Sequence, residues 1–333
     1  MFYRKILKQS LEINWRNKYL WFFGLFAVLL GAGGEYEVLF RGLTGDMNQG
    51  FLQSAGRIIQ TGLFSKSALT NIGFLIANDA AHFAILLLAG LIILALFCFL
   101  VFTAIVSQAA IVNNSAAIIK GKHKAKLGVK DGALSGIKNF WPVFGLNAIA
   151  KLAVFLAFFF VSLPVILTAN QAAAPIANSV YFIIFIILIP LAIVFSFIIK
   201  YAVAYVVISG SGFKASIKNG WELFVKNWLV SVEMAFILFM INLLAGLALG
   251  LAILTLAIPF VLMAFIFYKF FAAVGFGLIV VLGFIFILLA IILTGACLAS
   301  FQISSWTSLF IALAGKGGTS KIARMAERVR RKI

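Results

Sequence analysis

Three ionisable side chains stand inside or at the edge of long apolar runs: Lys151, Lys200 and Glu233, with Asn147 and Asn242 nearby. A carboxylate in hydrocarbon is costly unless it is paired, so Glu233 is expected to meet one of the two lysines. Two readings of this polar cluster stay open. It forms a cytoplasm-facing pocket for a charged substrate or lipid headgroup, or it is a structural ion pair beside lysines that snorkel to the interface.

The remaining chemistry-bearing residues fall in poorer spacings. His82 and His123 are expected on opposite sides of the membrane and so cannot share a metal. Asp79 and His82 form an i, i+3 pair at the start of an apolar run, and two ligands make a poor metal site. The stretches "GKHKAK" and "GKGGTS" lack the GxxxxGK[ST] spacing with which backbone amides wrap a phosphate. Cys98 and Cys297 both lie in apolar runs, without CxxC spacing. No catalytic residue, metal or cofactor is expected, and the chain is not expected to be an enzyme.

The elements that must position these residues are membrane spans. Of 333 residues, 64% are hydrophobic and 11% charged, against roughly a quarter charged in ordinary soluble domains. Apolar runs reach the roughly 18 residues of a candidate span and are apolar on every face, which excludes a membrane β-barrel. The expected fold class is an all-α polytopic bundle of six transmembrane helices. Their expected ranges are 19–34, 83–106, 152–168, 180–199, 228–258 and 271–298, with 259–270 a short interfacial segment after Pro259. Pro164 and Pro190 are expected to kink the middle pair.

Charge supports that count. Cytoplasmic loops accumulate Lys and Arg. With six spans and the amino terminus inside, 21 of the 27 Lys and Arg fall on the cytoplasmic side. The expected location is therefore the cytoplasmic (inner) membrane, with both termini cytoplasmic. The net charge of +18 is explained by this asymmetry and by anionic lipid, so no nucleic-acid partner is expected. A long basic start, and its recurrence inside the chain, argue against residues 1–34 being a cleaved signal peptide.

A pattern precedes each outgoing span. The leads "YRKILKQSLEINWRNKYLW", "KDGALSGIKNFW" and "GFKASIKNGWELFVKNW" each carry a basic segment of helical period, then Asn and Trp. Trp15, Trp21, Trp141, Trp221 and Trp228 are expected as interfacial anchors, and Asn as the residue that satisfies backbone groups where a surface helix enters the membrane. The chain then divides into three hairpin units, each led by an interfacial helix: 1–125, with an external loop at 35–80, then 126–211 and 212–315. A tail at 316–333 puts Lys321, Arg324, Arg328 and Arg331 on one face of a basic amphipathic helix suited to anionic lipid. Gly246 and Gly250 form a GxxxG pattern, expected to permit close helix approach.

The repeated lead, carried by Trp15, Trp221, Lys226, Asn227 and Trp228, resembles the bacterial membrane-domain family found beside glycerophosphodiester phosphodiesterases. In that family the phosphodiesterase chemistry belongs to a separate soluble domain with acidic and histidine ligands. These residues hold no such ligand set, so the resemblance implies a membrane domain without catalysis. The functional expectation is an accessory or scaffold that engages membrane lipids, through anionic headgroups on the cytoplasmic side, and a possible protein partner. A permease for a small charged substrate or lipid, and a membrane-embedded lipid enzyme, are the alternatives.

Overall fold

The computed structural model describes residues 2–30, 76, 79–121, 128–168 and 174–316, with the side chains at 30, 157–189, 272 and 316 left aside. Among them the chain is helical throughout, without strands. In order, the helices are α1 (Phe2–Arg16), α2 (Tyr19–Ala27), α3 (Ala80–Ile119), α4 (Val129–Lys138), α5 (Phe140–Thr168), α6 (Ala174–Ser209), α7 (Phe213–Lys226) and α8 (Trp228–Lys316). Among the described residues four stretches are long and apolar enough to cross a membrane, or five if the bent pair α4–α5 counts as one span. The protein is a multi-pass membrane protein. The first expected span lies only partly within the residues described, and the side chains at 157–168 and 180–189 of the third and fourth are among those left aside. Apart from residues 76, 79 and 80 the external loop lies outside them, as does the basic tail beyond residue 316, Lys321, Arg324, Arg328 and Arg331 included.

α8 doubles back on itself. Phe260 packs against Phe286 with ring centroids 5.7 Å apart and the planes tilted by 40°, and Gln302 Nε2 donates to Asn242 Oδ1 at 2.6 Å. These contacts pair an outgoing arm, Trp228–Phe271, with a returning arm, Ala273–Gly315. At the turn a Cβ on Gly275 would lie 2.7 Å from the Phe267 carbonyl oxygen, so only glycine fits there without a shift. This corrects the expected helix break at Pro259. Pro259 sits inside the helix, and the outgoing arm continues past it. A proline removes one backbone hydrogen bond, which a membrane helix tolerates when neighbours or local adjustment compensate.

The outer parts of both arms are exposed, with Leu251, Leu254, Phe265, Leu278, Phe284 and Leu293 among the uncovered side chains. Exposed apolar surface on this scale is incompatible with water and fits lipid. Each arm has 44 or 43 residues, about 66 Å at 1.5 Å per residue. That is twice the roughly 30 Å hydrocarbon core, so part of each arm extends beyond it unless the arms tilt steeply.

The residues form two compact units. One comprises Met1–Ala32, Ala104–Phe144 and Lys200–Ile333; the other comprises Gly33–Thr103 and Gly145–Ile199. In the second, residues 84–99 of α3 expose nearly every side chain, as a lipid-facing helix would. Asp79 caps that helix: its Oδ1 accepts from the His82 backbone N–H at 3.1 Å, and its Oδ2 lies 2.5 Å from His82 Nδ1. The pair is thus a helix-start device.

The first unit holds the buried core. Phe23 and Ala27 of α2 pack on Ala110 and Ile111 of α3, with Ala133 of α4 and Ile303 of the returning arm beside them. Small residues allow these helices to approach. A Cβ on Gly24 would overlap the Ala296 carbonyl oxygen, and one on Gly136 would overlap that of Val106. Gly132 faces side-chain ends rather than backbone, a Cβ there lying 2.7 Å from Asn114 Nδ2 and 2.9 Å from the Phe23 ring. The close-approach GxxxG is therefore Gly132–Gly136. This corrects the expectation for Gly246 and Gly250, where an added Cβ would meet nothing within 4 Å.

Candidate functional site

Three short amphipathic helices, α1, α4 and α7, belong to the first unit, and each ends on an asparagine. Asn17 Nδ2 donates to the Ile13 carbonyl at 2.8 Å, Asn139 Nδ2 to that of Ser135 at 2.9 Å, and Asn227 Nδ2 to that of Leu223 at 3.0 Å. Each asparagine also sends its backbone N–H to the same carbonyl, at 3.1, 3.3 and 3.1 Å. Its own carbonyl then accepts from the next helix: from Leu20, Val143 and Ser231 respectively. One side chain thus completes the helix it ends while its backbone starts the following one. At Asn139 the change of direction is 70°, and Pro142 follows within the first turn of α5, where its missing N–H costs nothing.

The buried faces of these helices agree as well. Seven residues before the asparagine stand Ser10, Gly132 and Gly220, all buried; three before it stand Asn14, Gly136 and Phe224, also buried. What these faces meet is polar as well as apolar. On the returning arm Ser300, Ser304 and Ser308 recur every four residues along one helical face. Ser300 Oγ donates to Asn14 Oδ1 at 2.5 Å. Ser308 Oγ lies 3.0 Å from Ser10 Oγ, and Ser304 Oγ lies 2.9 Å from Ser115 Oγ. Such interhelical hydrogen bonds contribute about 0.6 kcal/mol each in a membrane. Their stronger effect is to fix the angular position of α1 and the inner end of α3.

A second chain of hydrogen bonds reaches the third asparagine. The buried Tyr201 hydroxyl lies 2.7 Å from Ser231 Oγ, and that serine donates to the Asn227 carbonyl at 3.0 Å. Tyr201 also meets Trp306 edge to face at 6.1 Å, and Tyr205 meets Phe310 at 4.8 Å. The inner end of α6 is held in this way against the returning arm.

Among the residues singled out in the sequence, Glu233 accepts a hydrogen bond from the Tyr3 hydroxyl. The Lys200 ammonium sits over the Trp306 ring, 4.7 Å from its centroid, a favourable cation–π placement. Asn242 accepts from Gln302. Asn147 and Lys151 fall in the other unit. Trp15, Trp141, Trp221 and Trp228 are exposed, whereas Trp21 is half-buried and packs edge to face on Trp15 at 6.1 Å. No group of three or more His, Cys, Asp or Glu suited to a metal occurs among the described residues.

Tyr3, Trp306 and the three serines escaped the sequence reading. The four-residue serine spacing in an otherwise apolar run was a visible signal for the last of these, since small polar residues at that spacing mark a helix–helix face. No protein-family model, curated protein or solved structure matches the chain. The resemblance to the phosphodiesterase-associated membrane domains therefore rests on the aromatic and basic positions alone.

Proposed function

We propose that this chain is a six-span protein of the cytoplasmic membrane, built as three hairpins that are each led by an interfacial helix, with both termini cytoplasmic. It works without catalysis of its own, as an accessory or scaffold that engages anionic lipid and a protein partner. The observation that carries this reading is the outward face of the three short helices. Their small residues turn inward, while Lys8, Lys130 and Lys218, with Trp15 and Trp221, are exposed. Cations beside interfacial aromatics suit an anionic membrane surface.

The polar side chains of the first unit support the same reading. Tyr3, Ser10, Asn14, Ser300 and Ser308 are used in joining helices. That is the pattern of a rigid platform, in which polar groups act as glue. Native mass spectrometry of the purified protein tests the proposal. Retained phosphatidylglycerol and a stoichiometric co-purifying protein are expected. Substrate counterflow in proteoliposomes, or turnover of labelled lipid by the pure protein, would replace the scaffold reading with a permease or an enzyme.

A further inference from the structure

Between Glu233 and Lys316 the sequence holds a single charged residue, Lys269. It stands at the turn of α8, where the outgoing arm ends at Phe271 and the returning arm begins at Ala273, and it is exposed. Aromatic rings crowd the same end. Phe276 meets Phe265 and Tyr268 edge to face at 6.4 and 6.3 Å, and Phe267 stacks on Phe271 at 5.8 Å. Phe265, Tyr268, Phe270, Phe271 and Val274 all remain exposed around the lysine. With no acidic residue between Glu233 and Lys316, neither arm supplies a neighbouring counter-charge.

Helix length decides where this tip falls. Val230, Met234, Ala235 and Leu238 are buried in the core of the first unit, and the arm leaves that core near Phe239. From Phe239 to Phe271 it runs about 50 Å at 1.5 Å per residue. An upright arm would cross the roughly 30 Å hydrocarbon core and set its tip well past the headgroups, with the rings bare in water. A tilt of about 40°, the upper end of what membrane helices adopt, shortens the crossing to about 38 Å. The bilayer with its headgroup layers is about 40–45 Å thick, so the tilted tip stops among the far headgroups. Each apolar side chain gains from leaving water in proportion to its area. Phe265, Phe270, Phe271 and Val274 present theirs together, so tilting is preferred to protrusion.

We infer that the tip of α8 is a phospholipid-binding site in the leaflet opposite α1, α4 and α7. The Lys269 ammonium holds a headgroup phosphate, with the Tyr268 hydroxyl at the same depth. Phe265, Phe270, Phe271 and Val274 lie among the first acyl carbons. Lysine and tyrosine both settle at this boundary, because each joins an apolar body to a polar end. The inference rests on the interfacial placement of the short helices proposed above, which fixes the depth at which the arm starts. It adds a lipid site on the far surface, with its residues and its ligand chemistry. A hairpin held at both surfaces has its tilt fixed.

The test uses the full chain in a Cys98→Ala, Cys297→Ala background, reconstituted in phosphatidylglycerol nanodiscs with a fluorophore on Phe270→Cys, Leu254→Cys or Lys218→Cys. All three side chains are exposed, so labelling leaves the packing intact. At positions 270 and 218 a nitroxide on the lipid headgroup should quench about twofold more than one deep on the acyl chain, and at 254 the order should reverse. A label at 270 quenched by aqueous iodide and by neither lipid places the tip in water. One that neither lipid nor iodide reaches is covered by protein. Either result overturns the inference and leaves the proposed function standing. A label at 218 that no lipid quencher reaches overturns the proposed function, and the inference with it. The phosphate contact is read by native mass spectrometry of the delipidated chain titrated with phosphatidylglycerol. Lys269→Gln should weaken one binding step about fivefold, and Lys269→Arg should keep it. Identical binding by the two variants overturns the role of Lys269. Displacement of that lipid by millimolar inorganic phosphate overturns the headgroup assignment in favour of the free anion.

Discussion

The Tyr3 hydroxyl donates a hydrogen bond to the Glu233 carboxylate, joining the first turn of α1 to a residue 230 positions further along the chain. Hydrogen bonds to a charged acceptor contribute about 1.5–3 kcal/mol. A double-mutant cycle of Tyr3→Phe and Glu233→Gln, read by thermal unfolding in detergent, should give a coupling of about 1–3 kcal/mol. The companion cycle of Glu233→Leu and Lys200→Leu examines the lysine pairing expected from sequence, where the second change should partly restore the loss caused by the first. Zero coupling in both cycles would remove the polar-pocket idea together with the ion pair.

Asparagine removal should cost unequally at the three steps. Asn227 is 6% exposed and belongs to the Tyr201–Ser231 hydrogen-bond chain, whereas Asn17 and Asn139 are half-buried. Replacing Asn227 by Leu is expected to cost about 1–2 kcal/mol, and the other two below about 1 kcal/mol. The same melting assay ranks them. A larger loss at Asn17 than at Asn227 would contradict the burial argument.

Glycine substitutions should separate the two GxxxG patterns. Gly136→Ala forces a methyl group against the Val106 backbone, and overpacking of this kind costs about 1–3 kcal/mol. Gly246→Ala and Gly250→Ala meet open space, and each should be neutral or gain up to about 1 kcal/mol from better helix propensity. Destabilisation at Gly250 with tolerance at Gly136 would reverse the packing assignment.

Topology is accessible to cysteine labelling. In a Cys98→Ala, Cys297→Ala background, Lys269→Cys near the turn of α8 should react with a membrane-impermeant maleimide from outside intact cells. Lys218→Cys on α7 should react only after permeabilisation. External labelling at position 218 would place the basic helices on the wrong side and undo the hairpin order.

Tryptophan truncation measures anchoring. Trp141→Ala and Trp228→Ala remove exposed side chains, 76% and 55% accessible, so neither leaves a cavity in the protein. Each should lower membrane yield with a modest loss of stability, on the order of 1 kcal/mol, because neighbouring apolar groups share the interfacial role. Variants indistinguishable from the parent in both yield and melting would count against these residues as anchors.

Composition and periodicity alone establish a helical membrane protein with short amphipathic leads ending in asparagine, because both signals are local. Hydropathy depends on the residues of one segment, and the Asn17, Asn139 and Asn227 hydrogen bonds close within a single helical turn. Wherever the outcome depended on a second segment, the sequence was silent or misleading. Gly246–Gly250 and Gly132–Gly136 show the same spacing, and only the arrival of α3 beside α4 makes the second pair the close contact. Pro259 looked like a helix end, yet the α8 turn lies beyond it, near Gly275, where the Phe267 backbone of the outgoing arm leaves no room for a Cβ. The tyrosine partner of Glu233 comes from the opposite end of the sequence, and no local pattern encodes so distant an encounter. Tertiary structure decides these cases because close packing and hydrogen bonding depend on which surfaces meet, and one segment's sequence describes only one of the two surfaces.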